Sequence, residues 1–588
     1  VDERRPGGRA AARRREGGAD QGPSPREPER EEGARTDLRR APGERAAAGT
    51  RRGADGRPAP SRPRTTDAAR RAAFDVLRAV HTSDAYANLV LPPMLAERGI
   101  RARDAAFATE LAYGTLRLRG RYDAIIGLTS RRPPGELDAA VLDVVRLGVH
   151  QLLGMRVPPH AAVAETVALA RRVCGPGPAQ LVNAVLRAIS EHELDDWLER
   201  LRGGEAALEA EYSHPGWIVR ALREALAGNG RAVAELIPLL EADNTAPEVT
   251  LVARPGLCDV ASLRAEATRA RLTVAGDGRW TATALRLAGG DPGALDAVRA
   301  GRAGVQDEGS QLVALAAAGA AGARLDGPGF DGGSGAGNGP DAGGGSGAGG
   351  GSGAGADATR TGPGPSDERH DEHAVRWLDL CAGPGGKAAL LGAVLARHTG
   401  GRGLLVANEL APHRADLVRR AVRALGDGVE VRAGDGREAG RAEPGRYALT
   451  LVDAPCTGLG ALRRRPESRW RRSPADVAHL AVLQRDLLTS AVAATAPGGI
   501  VAYVTCSPHL AETHAVVADV ARAAGVEILD AVAAVQAVAR APVPGLGTGP
   551  FVQLWPHLHG TDAMFLALLR VTGRTDAPRL TGGPSRRG

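Results

Sequence analysis

Three short apolar runs in the last third of the chain each stop at a loop that carries reactive or ligand-binding residues. Val375 to Leu380 leads into Cys381-Ala382-Gly383-Pro384-Gly385-Gly386-Lys387. Tyr447 to Val452 leads into Asp453-Ala454-Pro455-Cys456, and Ile500 to Val504 into Thr505-Cys506-Ser507-Pro508. Apolar runs of this length, bounded by turn residues, read as buried strands. Further strands are expected at 403–408, 429–432 and 526–529, with a late pair at about 551–555 and 563–569. Helical patterns at 387–397, 411–425, 475–496 and 510–523 separate the early ones. That alternation specifies a doubly wound, Rossmann-like α/β sheet, which binds ligands at the carboxyl ends of its strands. All three loops fall on that edge.

The 588 residues are too many for one core, and composition divides them. Residues 1–65 hold 17 Arg against 11 Asp and Glu, a net of 17 − 11 = +6 of the chain's +7, with almost no large apolar residues. This segment is expected to be a disordered tail. Residues 66–200 carry helix-like spacings, such as Phe74, Leu77 and Val80, then Leu89 and Leu95, then Leu142, Val145, Leu147, Leu152 and Leu153. No alternating pattern interrupts them, so this domain is all-α. Residues 201–320 mix a strand at Val249–Val252 with helices at Val260–Leu272 and Gln311–Ala320, a small α/β connecting subdomain. Residues 321–373 form a Gly-rich insert of linker composition. The α/β sheet domain occupies 374–572, and 573–588 is a second tail.

Five cysteines without CxxC or Cys/His spacing make neither a disulfide framework nor a structural zinc site, so no metal is expected. Reduced thiols suit a cytoplasmic protein. The uncharged stretch Leu487–Thr505 is broken by Pro497-Gly498-Gly499, so it reads as helix, turn and strand, not a membrane span. Nothing in the sequence calls for an obligate oligomer, and a monomer is expected.

The loop Cys381, Ala382, Gly383, Pro384, Gly385, Gly386 and Lys387 joins the first strand to a helix, where glycines let backbone approach a ligand. Glu409, Asp435 and Asp453 close the next three strands. Glu409 suits two ribose hydroxyls, and Asp435 an adenine amine. Acidic strand ends fit a positively charged, adenosine-bearing cofactor better than a pyrophosphate, and S-adenosylmethionine meets that description. Lys387 is the only lysine in a chain otherwise served by Arg, which points to a place for a compact ammonium. Cys381 reads as a small packing residue within the loop. Arg463, Arg464, Arg465 and Arg469 surround Trp470 after the Cys456 loop, a composition suited to RNA phosphates and bases.

Asp379–Lys387, Asp453–Cys456 and Thr505–Pro508 resemble the three hallmark motifs of RNA cytosine-5 methyltransferases. The run from Asp453 to Arg471 and the stretch Val305–Gln311 are also similar. Phe107–Arg117, Leu147–Thr166 and Val182–Arg187 resemble a NusB-type RNA-binding domain. The combination, over about residues 67–570, resembles the RsmB/Sun/Fmu-type 16S rRNA enzymes. The resemblance implies a class I S-adenosylmethionine-dependent methyltransferase domain behind a NusB-like domain. It also implies methylation of C5 of one cytosine in 16S rRNA, cytosine 967. Cys506 is then the nucleophile that adds to C6, Cys456 assists release, and Asp453 lies near both cofactor and base. A DNA cytosine-5 methyltransferase, which uses a single Pro-Cys, is an alternative reading disfavoured by Cys506. A non-enzymatic RNA-binding or ribosome-assembly factor, an antitermination factor, or an enzyme of the same kind acting on another RNA are further alternatives.

The Gly-rich insert precedes the first sheet strand, so it enters at the edge opposite the ligand loops. Deleting residues 327–364 is therefore expected to leave methyl-transfer activity largely intact; a severe loss of turnover in a deletion variant with an unchanged melting temperature would contradict this.

Overall fold

The computed structural model describes residues 67–83, 85–203, 207–325 and 375–573. The tail expected at 1–65, residues 326–374 of the Gly-rich stretch and the tail beyond Gly573 lie outside these. All described residues belong to one unit, Arg64–Gly588.

The first part is helical throughout. Ala68–Thr82 begins where Asp67 accepts a hydrogen bond from the Ala69 N–H, and Ala139–Leu153 where Asp138 accepts from Ala140 and Val141. Ala87–Glu97, Ala102–Arg117, Arg119–Thr129, Pro159–Val173, Pro176–Ile189 and Leu194–Arg202 complete the set. Phe74, Leu77, Val80, Leu111, Val145 and Leu186 form its core. Leu89 departs from expectation. It is 57% exposed, because Ala87–Glu97 turns Ala87 and Leu91 inward instead.

Helices Ala207–Tyr212, Gly216–Gly228 and Leu236–Asp243 lead to a small antiparallel sheet. It comprises β1 (Val249–Ala253), β2 (Thr273–Asp277), β3 (Ala284–Gly289) and β4 (Ala303–Val305), in the order β2-β3-β1-β4. The helix expected to reach Leu272 stops at Arg269, and Arg271 takes a φ of 60°, which no helix continues. Glu308–Ala320 then buries its apolar side in the core of the following domain.

That domain contains β5 (Arg376–Asp379), β6 (Leu404–Glu409), β7 (Val429–Ala433), β8 (Tyr447–Asp453), β9 (Thr495–Thr505), β10 (Val526–Leu529), β11 (Val552–Gln553) and β12 (Phe565–Val571). The order is β10-β12-β9-β8-β5-β6-β7, with β11 paired to β12. β5 to β9 pair in parallel, whereas β12 runs antiparallel to both β9 and β10, so the sheet is mixed. Helices Gly386–Thr399, Pro412–Val422 and Pro474–Ala494 supply crossovers that parallel pairing requires, and His514–Ala523 links β9 to β10 past the intervening β12. After β5 the chain winds one way to β6 and β7, then crosses back to β8 and β9. This reversal opens a crevice at the carboxyl ends of β5, β6 and β8. Among the described residues no helix is long and apolar enough to cross a membrane.

The stretch 463–472 sits at the seam between the parts, and here the expected RNA patch is corrected. Arg469 is fully buried. Its guanidinium donates to the carbonyls of Arg117, Ser213 and Asp243 and to Asn244 Oδ1, at 2.8–3.0 Å. Arg463 is buried between Asp307 and Asp562, and Arg464 also pairs with Asp562. Trp470 packs over Gly120, with the Arg119 guanidinium 5.3 Å from its ring centre. Glu467 Oε1 accepts from the Ala87 N–H at the start of a helix in the other domain. These side chains join the helical part to the sheet domain. Of the five expected RNA contacts, Arg465 alone is exposed.

Removing the Arg469 fork strands buried carbonyls, at about 1–3 kcal/mol each. Arg469→Met is expected to cost about 3 kcal/mol in urea unfolding, and Arg469→Lys to recover only part, since an ammonium cannot span the same acceptors. An unchanged urea midpoint would refute this role.

Candidate active site

The β5 loop is built around close backbone approaches. A side chain at Gly383 would place Cβ 2.2 Å from Glu409 Oε2, so the carboxylate would have to move. Instead the Gly383 N–H donates to Glu409 Oε2 at 3.0 Å, and the Ala411 N–H donates to Oε1 at 3.1 Å. Gly385 has a φ of 106°, and a Cβ there would meet Ala421 at 2.6 Å. Pro384 and Gly386 complete the turn into helix Gly386–Thr399. Ala382 donates to the Asn408 carbonyl, and the Asn408 amide bridges the Leu380 and Gly434 carbonyls. The loops after β5, β6 and β7 are thereby tied together. Cys381 packs against the core on this edge, and burial pushes its thiol well up, which suits a packing residue. Asp435 caps the turn at Gly436–Glu438 and pairs with Arg437.

Lys387 reaches across to β8, its Nζ 2.8 Å from Asp453 Oδ2. Burial opposes its charge, but the Asp453 carboxylate holds the ammonium above its ordinary value.

Asp379 was not among the expected site residues. It is fully buried, and among the described residues its carboxylate has only a weak approach from the Cys381 backbone N–H. Burial, with the Asp453 charge second, pushes it up to about 8. The signal was available, since Asp379 closes β5 as Glu409 closes β6.

The loops after β8 and β9 bring Cys456 and Cys506 together, Sγ to Sγ, at 3.3 Å. Glu512, also unforeseen, holds both loops. Fully buried, it accepts from the Thr457 N–H at 2.8 Å, from the Thr457 hydroxyl, from the Ser507 hydroxyl at 2.6 Å and from Gln484 Nε2 at 3.2 Å. The Gly460 N–H donates to the Cys506 carbonyl at 2.9 Å.

The two thiols are unequal. A hydrogen bond from Cys456 lowers Cys506, and the Arg465 and Lys387 charges add to this against burial and Asp453. Cys456 is pushed well up by that same hydrogen bond, by burial and by the Cys506 and Glu512 charges. Of the two thiols, Cys506 is therefore the one that gives up its proton first, with Cys456 as its hydrogen-bond donor.

The 16S rRNA methyltransferase RsmB/F family profile matches residues 367–570, and the NusB family profile matches residues 67–191. A Mycobacterium tuberculosis H37Rv protein named "Putative methyltransferase" is 48% identical over 514 residues, covering 86% of this chain and 96% of its own. The chain belongs to the RsmB/F family of 16S rRNA methyltransferases. The "Ribosomal RNA small subunit methyltransferase B" of Pseudomonas syringae pv. tomato is 29% identical over 518 residues, covering 85% of this chain and 96% of its own. A crystal structure of the protein PH0851 shares the fold, with a TM-score of 0.64 at 19% identity, covering 85% of this chain and 98% of that one.

S-adenosylmethionine is the cofactor of this RsmB/F-family chain, and the residues present fit it. Asp379, Glu409 and Asp453 close β5, β6 and β8 with the Lys387 ammonium against Asp453, a set of carboxylates that would attract a sulfonium and an amine, while Asp435 is taken up by Arg437. The weakly partnered oxygens of Asp379 lack the donors that such a ligand carries.

Alkylation of the RsmB/F-family site by iodoacetamide, followed by mass spectrometry across pH, should show Cys506 reacting with an apparent pKa below that of Cys456. Reactivity should rise with pH through each value, as thiolate forms. In Cys456→Ala the Cys506 midpoint should move up, because its hydrogen-bond donor is gone; a midpoint that stays put or falls would contradict the assignment.

Proposed function

We propose that the chain methylates C5 of a specific cytosine in 16S rRNA, cytosine 967, through a covalent bond between Cys506 and C6. The observation that carries this reading is the Cys456–Cys506 pair, 3.3 Å apart, in which the surroundings lower the Cys506 thiol and raise that of Cys456.

When bound, S-adenosylmethionine would supply an electrophilic methyl group for the nucleophilic C5, its methyl–sulfur bond breaking with the electron pair left on the sulfur of the departing thioether. Cys381 to Lys387, Glu409, Asp435 and Asp453 would hold it, with Asp453 also reaching the cytosine edge. The Cys506 thiolate adds to C6, and the C5=C6 electron pair shifts to C5, which becomes nucleophilic. Once the Cys506 sulfur is bonded to carbon, its negative charge no longer holds Cys456 protonated. Cys456 can then lose its proton to solvent and, as thiolate, accept the C5 proton. The C5–H electron pair re-forms C5=C6 and expels Cys506 as thiolate. A lone Pro-Cys nucleophile, as in a DNA enzyme, would leave this division of roles without purpose. The target base must leave its stack to reach the thiols. In this reading residues 66–200 bind RNA, and the enzyme works in the cytoplasm as a monomer.

The test uses purified Cys456→Ala with S-adenosylmethionine and protein-free 16S rRNA. A denaturant-resistant protein–RNA adduct is expected, absent when Cys506 is also replaced. No adduct, with wild type still methylating the RNA, would mean that the cysteine roles are misassigned. Inactivity of both proteins would favour a non-enzymatic role or another RNA.

A further inference from the structure

The segment after the Cys456 loop contains Arg463, Arg464, Arg465, Arg469, Arg471 and Arg472, and all but one face an acceptor. Arg463 and Arg464 meet Asp562, Arg469 meets the seam carbonyls, Arg471 donates to the Val80 and Ala85 carbonyls, and Arg472 lies 3.7 Å from Asp476. Arg465 is exposed, and among the described residues its charge acts on the Glu467 carboxylate without a salt bridge to it. It meets the Tyr86 ring instead, 5.4 Å from the ring centre.

Tyr86 belongs to the other domain, directly before helix Ala87–Glu97. Its position is fixed from the sheet domain: Glu467 accepts from the adjacent Ala87 N–H, and the Arg471 guanidinium lies 5.1 Å from the same ring. A guanidinium over an aromatic face keeps its charge and loses rotational freedom, while its N–H edges stay available. Arg465 is also near enough to Cys506 for its charge to favour the thiolate. The geometry thus holds an exposed fork, braced by a ring from the neighbouring domain, on the segment whose Gly460 N–H is bonded to the Cys506 carbonyl.

We propose that Tyr86 is a positioning residue that holds the Arg465 guanidinium beside the cysteine site, where Arg465 takes a phosphate of the RNA strand delivering the target cytosine. The proposal rests on the RNA methyltransferase reading above. It makes the substrate groove a product of both domains, with the helical part supplying the brace and the sheet domain the charge. The planar fork matches phosphate geometry, and a contact to backbone phosphate orients the strand without reading sequence.

The test compares full-length wild type with Arg465→Gln, Tyr86→Leu and Tyr86→Phe on protein-free 16S rRNA. Binding is measured against salt, and kcat and KM by methyl transfer, with melting temperatures recorded. Arg465→Gln and Tyr86→Leu are each expected to raise KM for RNA roughly fivefold to tenfold and to reduce the slope of log affinity against log salt by about 1. For Tyr86→Leu the change in kcat should be smaller than that in KM. Tyr86→Phe keeps the ring and should retain the wild-type slope and KM. A wild-type slope in Arg465→Gln would overturn the phosphate contact. A wild-type slope in Tyr86→Leu, or an equal loss in Tyr86→Phe, would overturn the bracing role. Should wild type neither bind nor methylate the RNA, the functional reading itself fails; methylation by wild type with unaffected variants removes this inference alone.

Discussion

The carboxylate of Glu512 is the contact on which the chemistry of this site depends. It is buried, and its acceptor capacity is taken by donors from the loop after β8, the loop after β9 and the long helix Pro474–Ala494. β8 and β9 bring Cys456 and Cys506 to neighbouring strand ends, but strand ends alone leave loops free to wander by several ångströms. One shared acceptor removes that freedom, because each loop's donors would otherwise be buried without a partner. The same carboxylate adds negative charge on the Cys456 side, while Lys387 and Arg465 act on Cys506. Position and charge bias therefore come from the same small set of groups.

A second constraint lies at the seam. The chain from Thr457 to Arg472 begins in the Glu512 network and ends in hydrogen bonds to helices more than 200 positions away in sequence. The loop that carries Cys456 is consequently anchored at both ends, by the sheet domain and by the helical part. A disturbance of the helical part would have a short covalent path to the thiol pair.

Much of this was legible in the sequence because strand order and loop chemistry are local properties. The β5 to β9 strands, the glycine loop and both cysteines announce themselves by apolar runs ended by turn residues. The Arg-rich stretch was misjudged for the opposite reason. Arginine beside tryptophan looks the same whether the partner is a phosphate or a backbone carbonyl, and the carbonyls of Ser213 and Asp243 leave no mark in sequence. Glu512 does not stand out in the sequence, and Asp379 stands out only as the first residue of its motif, because burial, not residue type, distinguishes them from solvated carboxylates. The antiparallel β12 likewise follows from long-range pairing with β9 and β10 that a strand pattern does not reveal.

Lys387 has a consequence for the chemistry of the whole surface. It is the only lysine in the chain, and its side chain is 10% exposed, turned in against Asp453. Reagents that acylate or reductively alkylate lysine therefore find no side-chain target on the exterior. Among side chains such a reagent reports on one place, the Lys387–Asp453 pair at the carboxyl edge of the sheet, with a terminal amine as its other target. Arginine elsewhere preserves positive charge without offering a second nucleophilic amine.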